Sequence, residues 1–104
     1  MSARERRYPD CTRFGEIAID DVVHRILTAP EGQQEITIRC ESFRIGCLLG
    51  DRDISQERAR RTVDFLTGKI RDRGVPWDRA ELRRKIERAV DQGQAKAKGN
   101  PHGR

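Results

Sequence analysis

The sequence predicts a small α+β domain: a short helix, a small antiparallel β-hairpin, two antiparallel C-terminal helices and a disordered basic tail. Three observations lead there. Apolar and polar residues alternate from Gln34 to Leu49, as they do on a half-buried strand. Two stretches with helical apolar spacing and capping residues follow, Ser55 to Arg73 and Asp78 to about residue 92. At 104 residues the chain fits one domain with a modest core. The expected division is an N-terminal arm over 1–16, a compact domain over 17–93 and a tail over 94–104.

The arm is expected to be irregular, because Pro9, Asp10 and Gly15 interrupt any period. Tyr8 and Phe14 are its means of attachment to the core. Asp20 reads as the N-cap of a helix over about 21–28, with Val22, Val23, Ile26 and Leu27 on one side. Ala29-Pro30-Glu31-Gly32 then ends it, since Pro restricts the residue before it and Gly permits a turn. In the hairpin, Ile36, Ile38 and Cys40 alternate with Glu35, Thr37 and Arg39, and Phe43, Ile45, Cys47 and Leu49 continue beyond Glu41-Ser42. Glu-Ser lacks the Gly or Asn that tight hairpin turns favour. A helix beginning at Ser42 is the competing reading.

Asp53-Ile54-Ser55-Gln56 supplies cap residues for the next helix, and Gly74 with Pro76 stops it. Along it, Ala59, Val63, Leu66 and Ile70 form one stripe at 100° per residue. Asp78-Arg79-Ala80-Glu81 has capping-box spacing, and Leu82, Ile86, Ala89 and Val90 carry the apolar face on to a stop at Gly93. The remaining residues lack an apolar anchor, which predicts disorder.

Charge is unevenly spread. Residues 1–50 hold seven Arg against eight carboxylates, whereas residues 51–104 hold fifteen Lys or Arg against nine. A basic C-terminal half favours a polyanionic partner there. Phe65 lies opposite the apolar stripe of its helix, among Arg58, Arg61 and Lys69. An exposed ring among cations suits base stacking with phosphate contacts, or an anchor within an Arg rim at a protein interface. The scarcity of aromatic residues favours instead a Phe65 buried beneath the arm or the hairpin. On the last helix, Arg84 and Arg88 extend the candidate phosphate-binding set. Interleaved Glu81, Glu87 and Asp91 suggest a partly self-paired face, including a Glu81–Lys85 pair.

No enzyme is expected. Leu66-Thr67-Gly68-Lys69 lacks the first Gly of a phosphate-binding loop, and no carboxylate pair has acid/base spacing. Cys11, His24, Cys40 and Cys47 match no recurrent zinc spacing, so neither metal nor cofactor is expected, and Cys40 and Cys47 are expected in the core. An odd cysteine count also argues against a disulfide framework. The charged N-terminus lacks the apolar region of a secretory signal and no run is long enough to span a membrane, which together predict a cytoplasmic protein.

Leu49-Gly50, Phe65-Leu66, Gly74-Val75-Pro76, Glu81-Leu82, Ile86, Gly93 and Pro101 together resemble the small helical domain that lies C-terminal to plasmid and phage primase catalytic domains. The resemblance covers about half the chain. It implies a nucleic-acid-associated helical module of a mobile element, without catalytic residues; the expected hairpin is not part of that module. The expectation is therefore a non-enzymatic nucleic-acid-binding accessory protein of a phage, plasmid or bacterium. Arg58, Arg61, Phe65, Lys69, Arg84 and Arg88 are its candidate contacts. The alternative is a protein-binding module, an inhibitor or assembly factor, with Phe65 at the centre of its patch.

Overall fold

The computed structural model describes residues 11–98. Four helices account for most of them: α1 (Arg13–Leu27), α2 (Gln34–Gly50), α3 (Gln56–Asp72) and α4 (Arg79–Lys98). Among the described residues there is no sheet. The sole extended pairing is an isolated antiparallel bridge between Cys11 and Ile54. The expected α+β architecture is therefore replaced by an all-helical one.

The hairpin is the largest correction. Gln34 to Gly50 is one continuous helix, burying Ile38, Ser42, Ile45, Gly46, Leu48 and Leu49. These positions recur at helical, not alternating, spacing. Ile36 and Cys40, assigned to the inner face of a strand, are both exposed. The pattern misled because small residues stand at the closest-packed positions of this helix. Ser42 registers as polar yet is buried, and Gly46 and Gly50 register as neutral yet are where α4 comes close.

That approach is tight. A Cβ on Gly46 would sit 2.0 Å from the Val90 carbonyl oxygen, and one on Gly93 would sit 2.0 Å from that of Phe43. Further along, Gly50 faces Ala97, and at the other end Lys85 reaches Glu35. Residue numbers rise together along both helices, so α2 and α4 run parallel, backbone against backbone. This is the most extensive helix pair among the described residues. It also explains why α4 does not stop at Gly93 but continues to Lys98: Gly93 is a packing residue, not a terminator.

The helix starts follow cap chemistry, though not always at the expected residue. Asp20 lies inside α1, and the N-cap is Thr12, whose hydroxyl accepts from the Gly15 amide at 2.9 Å. The same hydroxyl donates to Asp53 at 3.0 Å, and the Thr12 amide donates to the Asp53 carbonyl at 2.8 Å. The start of α1 is thereby pinned to the α2–α3 turn. Ser55 caps α3 by accepting from the Arg58 amide at 3.0 Å, and Asp78 accepts from the Glu81 amide at 2.8 Å. Both match the sequence expectation. After α3, Gly74 takes φ +80°, the left-handed conformation that lets the chain turn away.

Val22, Ile26, Ile45, Leu66, Leu82 and Ile86 form the centre of the core, one or two from each helix. The α3 stripe is buried as expected, Ala59, Val63, Leu66 and Ile70 all lying inside. Arg73 adds a polar clamp, donating to the carbonyls of Leu27 at 2.9 Å and Ala29 at 3.1 Å. It satisfies acceptors at the C-terminal end of α1 that the helix itself leaves open. Phe14 does not tack onto the core; it is exposed. Tyr8, Pro9 and Asp10 of the expected arm, and the tail residues Pro101, His102 and Arg104, lie outside the described residues. No described helix is long and apolar enough to cross a membrane.

Candidate functional site

Two grooves hold five of the six sequence-predicted site residues, and Lys69 lines neither. The first runs between α1 and α3, about 600 Å³ in volume, and is lined by Val23, Leu27, Arg58, Arg61, Thr62 and Phe65 among others. The second runs between α2 and α4, about 420 Å³, and contains Arg84 and Arg88. No single surface holds all six candidates.

In the α1–α3 groove Phe65 is 47% exposed, so the reading that buries it does not hold. Its ring lies 5.7 Å from the Lys69 ammonium, a cation–π distance. Arg58 is engaged elsewhere. Its guanidinium lies 3.2 Å from Glu16 and approaches the Cys11 sulfur at 3.5 Å. Arg60, one residue before Arg61, is paired with Glu57 at 2.7 Å, and the guanidinium holds the Glu57 carboxyl below its ordinary pKa. The floor is aliphatic: Ile19 is buried, and Val23 and Leu27 are partly so.

The α2–α4 groove differs in kind. Arg39 comes from α2, Arg84, Lys85 and Arg88 come from α4, and Trp77 comes from the loop before α4. Lys85 reaches Glu35 of α2 at 3.1 Å, rather than Glu81 as the i,i+4 spacing suggested. Its ammonium also sits 5.3 Å from the centre of the Trp77 ring. Arg39, Arg84 and Arg88 make no ion pair or hydrogen bond with a described residue. Arg83, their neighbour on α4, turns the other way to Asp64 and Glu87. Hydrogen bonding to Asp64 raises the pKa of the Arg83 guanidinium. Trp77 is placed by packing against the core and by Arg71, which donates to its carbonyl oxygen.

Sequence reasoning missed Trp77 and Arg39. Trp77 is the only tryptophan of the chain, a signal that was present but unused. Arg39 was hidden by the strand assignment: once 34–50 is helical, Glu35 and Arg39 stand one turn apart beside α4.

The cysteines do not gather. All three thiols are free, Cys40 is exposed and Cys11 and Cys47 are partly buried, which corrects the expectation that Cys40 and Cys47 belong to the core. Burial pushes the Cys47 thiol up from its ordinary pKa, the opposite of what a nucleophile requires. Among the described residues no three His, Cys, Asp or Glu side chains cluster as a metal site would. Comparison of the chain with protein-family models, curated proteins and solved structures returns no match.

Proposed function

We propose that this protein is a non-enzymatic nucleic-acid-binding module of a phage, plasmid or bacterium, and that it holds a phosphodiester backbone in the α2–α4 groove. One observation carries the reading: Arg39, Arg84 and Arg88 converge from two helices on one concavity without a carboxylate partner among the described residues. Guanidinium groups recognise phosphate oxygens through paired N–H donors. Arginines whose charge is not spent internally keep that capacity for a ligand. The basic C-terminal half and the resemblance to a primase-associated helical module point in the same direction.

Salt dependence tests it. Anisotropy of a labelled oligonucleotide, titrated with the full chain, should give a log affinity that falls linearly with log salt. Three phosphate contacts predict a slope of about −2 to −3. Absence of binding at low salt would defeat the proposal.

A second reading has its own observation. Phe65, 47% exposed beside the aliphatic floor of the α1–α3 groove, suits an apolar anchor at a protein interface. Under that reading, Phe65→Ala abolishes capture of a protein partner while the circular dichroism of the helices is unchanged.

A further inference from the structure

Resting on the nucleic-acid reading of the α2–α4 groove, we infer that the groove selects a single strand over a duplex, with one base seated on the Trp77 ring in the place now held by the Lys85 ammonium. The groove combines two recognition elements that only an unpaired strand can satisfy together. Arg84 and Arg88 stand one helical turn apart, about 6 Å along α4, and Arg39 faces them from α2. They address consecutive backbone phosphates. Trp77 lines the same concavity, its backbone held by Arg71 and its side chain partly packed on the core.

The occupant of the ring is already cationic. Lys85 lies 5.3 Å from the ring centre and is tethered to Glu35 at 3.1 Å. Lysine is a flexible point charge, and a partly exposed ion pair of this kind is weak, so a base can displace it. A duplex presents phosphates on its outside while its bases remain stacked within, out of reach of a ring in this position. In a single strand the bases are free to turn onto an aromatic face beside a basic track, the arrangement by which strands are held without sequence preference. Depth also matters. At about 420 Å³ the concavity falls in the size range of pockets that enclose small ligands, which suits a nucleotide unit.

Because Trp77 is the only tryptophan, its emission reports on the site directly. The full chain is titrated with oligothymidylate, with oligouridylate and with a blunt DNA duplex of equal length. Anisotropy of the labelled strand and Trp77 emission are read together. The expected result is binding of either single strand with quenching of Trp77 at the same midpoint, and duplex binding about tenfold weaker without quenching. A preference between the two strands assigns the ligand to DNA or RNA. Trp77→Phe, which keeps a stacking ring, should bind the single strand within about threefold of wild type. Trp77→Leu, which keeps apolar packing, should weaken it about tenfold and leave the duplex unaffected. Duplex binding as tight as single-strand binding, or single-strand binding with unchanged emission, would overturn the inference while leaving the groove a nucleic-acid site. No binding to any of the three ligands would defeat both.

Discussion

The α1–α3 groove is lined by Arg58 and Arg61 and the α2–α4 groove by Arg39, Arg84, Lys85 and Arg88, and the two also differ in how that charge is used. In the first, Arg58 is held by Glu16 and the floor is aliphatic, while Lys69, outside the groove lining, sits over the Phe65 ring. In the second, Lys85 alone is paired with a carboxylate, while Arg39, Arg84 and Arg88 make no ion pair with a described residue. Counting Lys and Arg along a sequence therefore measures potential charge, and the fold decides how much is spent on the protein's own carboxylates. The grooves also differ in construction. The α2–α4 groove rests on two backbones in contact through Gly46 and Gly93, whereas the α1–α3 groove is spaced by side chains such as Ile19, Val23 and Thr62.

The largest expected effect separates the two constructions. Gly46→Ala should destabilise the protein by about 2–3 kcal/mol, because its Cβ would meet the Val90 carbonyl at 2.0 Å and two helices would have to part. Gly68→Ala on α3 has nothing within 4 Å of the new methyl. It should stabilise the protein by about 0.5–1 kcal/mol through helix propensity. Urea unfolding of the two variants checks the pair. Equal signs would mean that α2 and α4 are not in backbone contact.

Next in size is a contrast in binding. Arg84→Ala with Arg88→Ala should weaken oligonucleotide affinity on the order of tenfold and reduce the salt slope by about 1 to 2. Phe65→Ala should leave both within about twofold. It should also cost less than about 1 kcal/mol of stability, since a ring this exposed has little burial to lose; a core Phe would cost about 3–5 kcal/mol. Should Phe65→Ala prove the more damaging to binding, the assignment of the two grooves is reversed.

How much of this was legible follows from what each element buries. The α3 helix was readable because its buried stripe is Ala59, Val63, Leu66 and Ile70, apolar at every turn, and because Ser55 and Gly74 mark its ends. The α2 helix was not. Its closest contacts are at Gly46 and Gly50, where the absence of a side chain lets a neighbour approach, and that neighbour lies more than forty residues away in sequence. Leftover Ile36 and Cys40 on the exposed side then completed a false alternation. The same misreading hid Arg39, so the groove could not be assembled from sequence even though Arg84 and Arg88 were singled out. Gly93 was read as a terminator for the same reason: a Gly late in a helix marks either a stop or a close contact, and only the partner tells which.

The smallest effect concerns charge that is fully spent. Asp21 of α1 accepts from Arg25 at 2.8 Å and from Arg44 of α2 at 3.0 Å. Hydrogen bonds from those two guanidinium groups, Arg25 first, hold its carboxyl below the ordinary aspartate range. A carboxyl with a lowered folded pKa binds fewer protons folded than unfolded. Its contribution is therefore complete above the unfolded value of about 3.9 and is lost as pH falls through the lower folded value. The bridge is solvent-exposed and screened, so the effect is small. Asp21→Asn should flatten the acid limb of the stability curve below about pH 4 and leave the neutral plateau slightly lowered, as read by urea midpoints across the pH range. Added salt should shrink the difference between variant and wild type. A wild-type acid limb identical to that of Asp21→Asn would mean that the bridge between α1 and α2 contributes nothing in solution.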